Sequence, residues 1–243
     1  MADDHRGDGF WRPGDLERLV VLSPHLDDAV LGVGDLLAVA AGAIVVTVYA
    51  GSPDVYPDPP KAWVRQCGFG PGDDVAAIRR SEDERALARL GAAAVHLPFV
   101  DRSHAPGADP DGPPEGLDDA LLAALRSAAP TAVVVPVGLG HPEHRAVADA
   151  ALRLRGALPG VAWILFAEIP YLARPGLLAQ RLGELATAGV VLEPLVPPVD
   201  PMARVRKVAA MEAYVSQVGP LDEWWDLRRR VRETPESLWR IAA

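Results

Sequence analysis

The stretch Leu19-Val-Val-Leu-Ser-Pro-His-Leu-Asp-Asp28, continuing as Ala29-Val-Leu-Gly-Val-Gly-Asp-Leu-Leu-Ala38, decides the fold. Leu19 to Leu22 is a short apolar run of the kind that forms a buried strand, and from Ala29 the pattern is helical. The polar residues Ser23 to Asp28 therefore fill a strand-to-helix turn, the place where α/β folds put their chemistry. A second run repeats the arrangement. Val133 to Val137 reads as a buried strand, Gly138 to Gly140 as its exit, and Pro142 suits the first position of a following helix.

The same alternation extends outward in both directions. Further strands are expected at Ile44–Val48, Ala94–Leu97, Ala162–Phe166 and 189–193. Helices are expected at 74–90, Leu117–Ala128, 143–155, 176–187, 202–215 and 221–231. Strands separated by helices imply a largely parallel sheet with right-handed crossovers and helices on both faces. With 243 residues and 49% hydrophobic content, one α/β domain over 18–243 fits better than two. Residues 1–17, His5 included, read as a flexible lead. Two Pro- and Gly-rich loops, 51–73 and 99–116, are long enough to suggest function. In the first, Trp63 and Tyr56 fit either a substrate wall or packing of the loop onto the body.

Chemistry gathers at the two strand ends. His25 and Asp28 are spaced to reach one cation from a single turn, with Asp27 pointing elsewhere. One nitrogen and one oxygen make half a site, and His141 and His144 offer the rest. Two His and one carboxylate around an open position form a catalytic zinc pattern that also suits Fe(II) or another divalent metal. The plainer reading makes Asp27 and Asp28 charges at a helix N-terminus, and the histidines caps or core groups. Gly32-x-Gly34 is a poor nucleotide-binding signature, because both glycines lie within the helix and the third is missing. Ser23 lacks the Gly-x-Ser-x-Gly elbow of a nucleophile.

The segments Pro24-His-Leu-Asp-Asp-Ala-Val-Leu-Gly32 and His141-Pro-Glu-His144 resemble the two motifs of the LmbE-like, or PIG-L, family of metal-dependent de-N-acetylases. Arg79-Arg-Ser-Glu82 through Leu90-Gly91 is similar to that family's Arg-x-x-Glu helix. Lys207 to Gln217 is similar to its Lys…Ser-Gln segment. The sequence departs from the family pattern at Leu26, Ala29 and Asp35. The resemblance spans roughly residues 18–220 and implies a single Rossmann-like domain. It also implies a metal, zinc by first expectation, held by His25, Asp28 and His144, with Asp27 as general base. In that scheme His141 stabilises the oxyanion and, protonated with help from Glu143, serves the departing amine. The implied reaction removes an N-acetyl group from a glucosamine-type sugar or glycoconjugate. An amidase acting on a sugar-amide conjugate, or a silent sugar-binding protein, would keep the same frame. Arg79, Arg80, Asp101, Tyr171 and Gln217 are the expected substrate contacts, and Glu168 lies at another strand end.

A formal net charge of -9 gives no global attraction for nucleic acid or an anionic membrane. The single Cys67 fits a reducing cytoplasm, and no apolar run reaches the length of a membrane span. The expected partner is a small amino-sugar substrate, and a homo-oligomer is compatible with this reading.

Overall fold

The computed structural model describes residues 11, 14–105, 112–197 and 200–242. His5 and part of the second long loop lie outside the described residues. Seven strands form one sheet: β1 (Leu19–Ser23), β2 (Ile44–Thr47), β3 (Ala93–His96), β4 (Ala132–Pro136), β5 (Ala162–Phe166), β6 (Leu192–Leu195) and β7 (Leu238–Ile241). Their order is β3-β2-β1-β4-β5-β7-β6. The first five are parallel, and β7 runs antiparallel to both β5 and β6. Among the described residues nine helices accompany the sheet: α1 (Asp28–Val39), α2 (Ala62–Gln66), α3 (Val75–Leu90), α4 (Leu117–Ala128), α5 (Pro142–Leu154), α6 (Leu177–Thr187), α7 (Pro201–Met211), α8 (Val215–Trp225) and α9 (Leu227–Glu233).

The expected α/β class is therefore observed. The exceptions are the short helix α2 inside the expected loop 51–73 and several elements in the last third of the chain. β6 sits a few residues later than expected, and β7 was not anticipated. The expected helix 221–231 is two helices, divided at Asp226 in the left-handed region (φ 53°).

Alternating side chains divide the core. Leu19 and Val21 pack with α1, α3, α7 and α9, while Val20 and Leu22 face the side covered by α4, α5 and α6. The glycines of α1 are explained by close packing. A Cβ at Gly32 would lie 2.5 Å from the Phe166 ring, and one at Gly34 would lie 2.6 Å from Lys207 Cγ. The helix breaks at Val33 (φ -134°, ψ 30°), and the Glu236 carboxylate accepts the freed N–H groups of Asp35 and Leu36 at 2.7 and 3.1 Å. Lys207 and Glu236, both fully buried, pair at 2.8 Å. Among the described residues no helix is long and apolar enough to cross a membrane.

Chain order places the site. β1 continues to β2 on one side, whereas β4 lies on its other side, so the carboxyl ends of β1 and β4 flank the sheet's switch point. Crevices at such points are where open α/β sheets bind ligands.

Candidate active site

The turn after β1 is shaped by Ser23, whose hydroxyl donates to the His25 carbonyl (2.7 Å) and accepts from Ala29 N–H (3.0 Å). Ser23 is thus a clamp on the turn. The His25 N–H donates to Asp28 Oδ2 (2.8 Å), which brings this carboxylate under the imidazole. After β4, His141 caps α5 by accepting the Glu143 N–H on Nδ1 (3.3 Å), and Pro142 opens the helix as expected. The next turn presents His144.

Three donor atoms then meet. His25 Nδ1 lies 3.2 Å from Asp28 Oδ2 and 3.2 Å from His144 Nε2, and His144 Nε2 lies 3.1 Å from Asp28 Oδ2. Ligand atoms about 2.1 Å from one cation are roughly 3.4 Å apart in tetrahedral and roughly 3.0 Å apart in octahedral coordination. The triangle therefore has the size, and the donor set the chemistry, for one divalent metal. His25, His141 and Glu143 form a second grouping, but its atoms already bond to one another: His25 Nε2 and Glu143 Oε2 are 2.7 Å apart.

The surroundings orient these three side chains. Glu143 holds His25 from behind, and its other oxygen accepts the Arg102 N–H (2.9 Å). Glu168, fully buried, accepts from Gly138 and Leu139 N–H (both 2.8 Å) and faces His144 Nδ1 at 3.3 Å. Carboxylates behind ligating imidazoles fix their tautomer and raise their basicity. Burial alone would lower both imidazoles. The carboxylates of Asp28 and Glu143 reverse this at His25, and Asp28 with Glu168 lifts His144 to about 9. Against its own burial, Asp28 is held well below the usual carboxylate range by His144 and His25.

Asp27 differs from its neighbour. It makes no side-chain capping bond to α1. It lines the cavity, and burial followed by the charge of Asp28 pushes it up to about 7.

The cavity, about 520 Å³, collects most of the expected residues: His25, Asp27, Asp28, Arg79, Asp101, His141, His144, Tyr171 and Gln217. Asp101 accepts the Ser103 N–H (2.7 Å), approaches Arg79 Nη1 at 3.5 Å, and is held low, despite burial, by His25 and Arg79. Arg80 does not line this cavity. Its guanidinium donates to the Ala50 carbonyl (2.7 Å) and reaches Ser52 Oγ (3.3 Å), tying α3 to the loop. One helical residue later than Arg79, it emerges on a different side of α3. Glu143 is also redirected, because its carboxylate serves His25 more closely than His141. His141 accepts a backbone N–H and is pushed down to about 4, by burial and then by His25.

Gln217 has a fixed sense. Ser216 donates its hydroxyl to Glu82 Oε2 (2.6 Å), and its N–H goes to Glu82 Oε1 (2.8 Å). With its hydrogen committed, Ser216 Oγ can only accept, so Gln217 turns its amide nitrogen to it (2.8 Å). The Gln217 carbonyl is left to Cys67 Sγ at 3.9 Å and to the cavity.

Of the loop aromatics, Trp63 reaches the cavity through α2. Tyr56 instead bonds Asp74 (2.8 Å) and accepts from Ala76 N–H (2.9 Å), which packs the loop on α3. Sequence reasoning missed Lys61, Arg174, Trp224 and Trp225, all on the cavity wall. A Trp-Trp pair in a segment otherwise rich in charge was the available signal.

The geometry defines a class, and comparison agrees with it. The family model for PIG-L, GlcNAc-PI de-N-acetylase, matches residues 20–154, more than half of the chain, and the chain belongs to that family. Among solved structures, the A40926 pseudoaglycone deacetylase is 30% identical, with a TM-score of 0.74 over 94% of this chain and 100% of that one. The zinc-inhibited form of teicoplanin deacetylase is 28% identical, with a TM-score of 0.73 over 93% and 98%. N,N'-diacetylchitobiose deacetylase from Pyrococcus horikoshii, at 19% identity and a TM-score of 0.56 over 93% and 84%, shares the fold. No curated protein matches the chain.

Proposed function

We propose that this protein is a divalent-metal-dependent hydrolase that removes the N-acetyl group from an N-acetylglucosamine-type sugar carried on a larger molecule. The observation that carries the reading is the triangle of His25, Asp28 and His144 with Asp27 beside it in one cavity. Family membership and the two deacetylases near 30% identity support it. Zinc is our first expectation, and Fe(II) or another divalent ion suits the same donors.

His25, Asp28 and His144 would hold the cation, which when bound would supply a Lewis acid and bring the pKa of water to about 7. Asp27, without a capping bond, takes the proton of the attacking water. His141 spends Nδ1 as an acceptor, so its hydrogen sits on Nε2, a donor for the amide oxygen as charge develops there. An imidazolium would have to break the backbone contact. We therefore assign the return of a proton to the departing amine to Asp27, in place of the His141 role expected from sequence.

The test is acetate release from a panel of N-acetylglucosaminides by metal-loaded and chelator-treated protein. His144→Ala is expected to lose metal and turnover together. Asp27→Asn is expected to keep the metal and lose about 10²- to 10⁴-fold in turnover. A metal-replete Asp27→Asn protein with undiminished deacetylation overturns the mechanism.

A further inference from the structure

The mouth of the cavity is built for more than a sugar. Trp63 on α2 and Trp224 on α8 meet with ring centroids 5.0 Å apart, and Trp224 remains 57% exposed. The next residue, Trp225, stands 6.2 Å from Tyr171. Broad exposed indole surface is unusual on a protein surface and marks sites that cover an apolar partner. Both walls line the same cavity as Asp27 and the ligand triangle.

Charge at this mouth runs against the protein as a whole. Arg174 lies over the faces of Trp225 (5.2 Å) and Tyr171 (5.8 Å), and among the described residues it has no carboxylate partner. Stacking holds the guanidinium in place while leaving its N–H donors unspent. Lys61, on the same wall, gives its ammonium, among the described residues, to the Arg102 carbonyl alone (2.6 Å). In a chain of net charge -9, Arg174 over Trp225 and Lys61 on the same cavity wall, neither with a carboxylate partner among the described residues, form a local anion preference at this opening.

We propose that this rim is an aglycone subsite for a flat apolar or aromatic group bearing an anionic substituent, with the rings on Trp63, Trp224 and Trp225 and the anion at Arg174. The proposal rests on the deacetylase reading for the sugar, but its geometry is that of a binding surface and its test has a separate readout. Binding of 4-carboxyphenyl and 4-carboxamidophenyl N-acetyl-β-glucosaminide to the metal-loaded protein is followed by quenching of tryptophan fluorescence, and turnover by acetate release.

At low salt the carboxylate is expected to bind about fivefold more tightly than the carboxamide, with the preference fading as salt rises. Arg174→Gln is expected to bring the two within twofold of each other. Trp224→Ala is expected to weaken both by about tenfold. Equal binding of the two glycosides by wild type, or an undiminished preference in Arg174→Gln, overturns the proposal. Preferential binding without acetate release from any glycoside sustains the subsite and sinks the deacetylase reading. Acetate release with no preference does the reverse.

Discussion

Replacing Lys207 by Met isolates one buried charge. The Lys207 ammonium and Glu236 carboxylate are both fully buried at 2.8 Å, and the Lys207 stem lies against Gly34. Met keeps the stem and removes the charge, so the packing over α1 survives while Glu236 loses its partner. Breaking a buried pair from one side costs about 3–5 kcal/mol. At about 2.1 cal/mol/K per residue, 243 residues give an unfolding entropy near 0.5 kcal/mol/K, so the melting temperature should fall by about 6–10 °C. Burial already raises Glu236 above its ordinary value, although Lys207 opposes this. Without Lys207 it rises further. A raised folded-state value contributes stability below the unfolded value, near 4.5, that is lost as pH rises through the folded one. The deficit of Lys207→Met should therefore grow from about pH 4.5 upward and shrink in acid. The double variant with Glu236→Gln should recover part of the loss, since no lone charge remains but one amide oxygen replaces the two carboxylate oxygens that accept the Asp35 and Leu36 N–H groups. The assay is thermal unfolding followed by circular dichroism between pH 4 and 8. A single-variant shift under about 2 °C at pH 7, or a double variant no better than the single, would refute the reasoning.

Other consequences are equally direct. Glu168→Gln should lower metal affinity about 10- to 100-fold, because an amide can keep the Gly138 and Leu139 N–H bonds on its one oxygen but removes the negative charge behind His144. Competition with a chelator measures it, and an unchanged affinity would remove Glu168 from the ligand support. Cys67, pushed up to about 11 by burial, should react with a thiol reagent at pH 8 more than 100-fold slower in the native than in the unfolded protein. Comparable rates in the two states would contradict its placement.

Much of the first two-thirds of the chain was legible because periodicity and placement agreed there. Leu19–Leu22 and Val133–Val137 are apolar enough to be central strands, and each hands a polar run to a helix, so the residues that converge at the switch point were readable. Arg80 was not resolved, since neighbouring residues on a helix look alike in sequence while one lines the cavity and the other ties a loop. β7 was hidden because Leu-Trp-Arg-Ile alternates only briefly and its sheet partners are distant in sequence. The Trp224-Trp225 rim escaped notice because it depends on where α8 lands, a tertiary fact. Glu143 was assigned to the neighbouring His141, and its carboxylate does lie 3.5 Å from His141 Nδ1, but packing brings the same oxygen closer to His25, at 2.7 Å.

The insertion of β7 between β5 and β6 also orders events during synthesis. β6 joins the sheet only through β7, so when Leu192–Leu195 emerge they have no strand to pair with, and the far edge of β5 stays open. Parallel pairing of β1 to β5 can proceed without the later segment. The sheet can be completed only after Ile241 is made, which at about 5–20 residues per second leaves a gap of a few seconds. Throughout that gap the nascent chain carries an unpaired edge of Trp163, Leu165 and their neighbours, the kind of template on which chains join one another. The cost of threading a late strand into the interior of a sheet is thus borne before the protein is finished, as a transient risk of association.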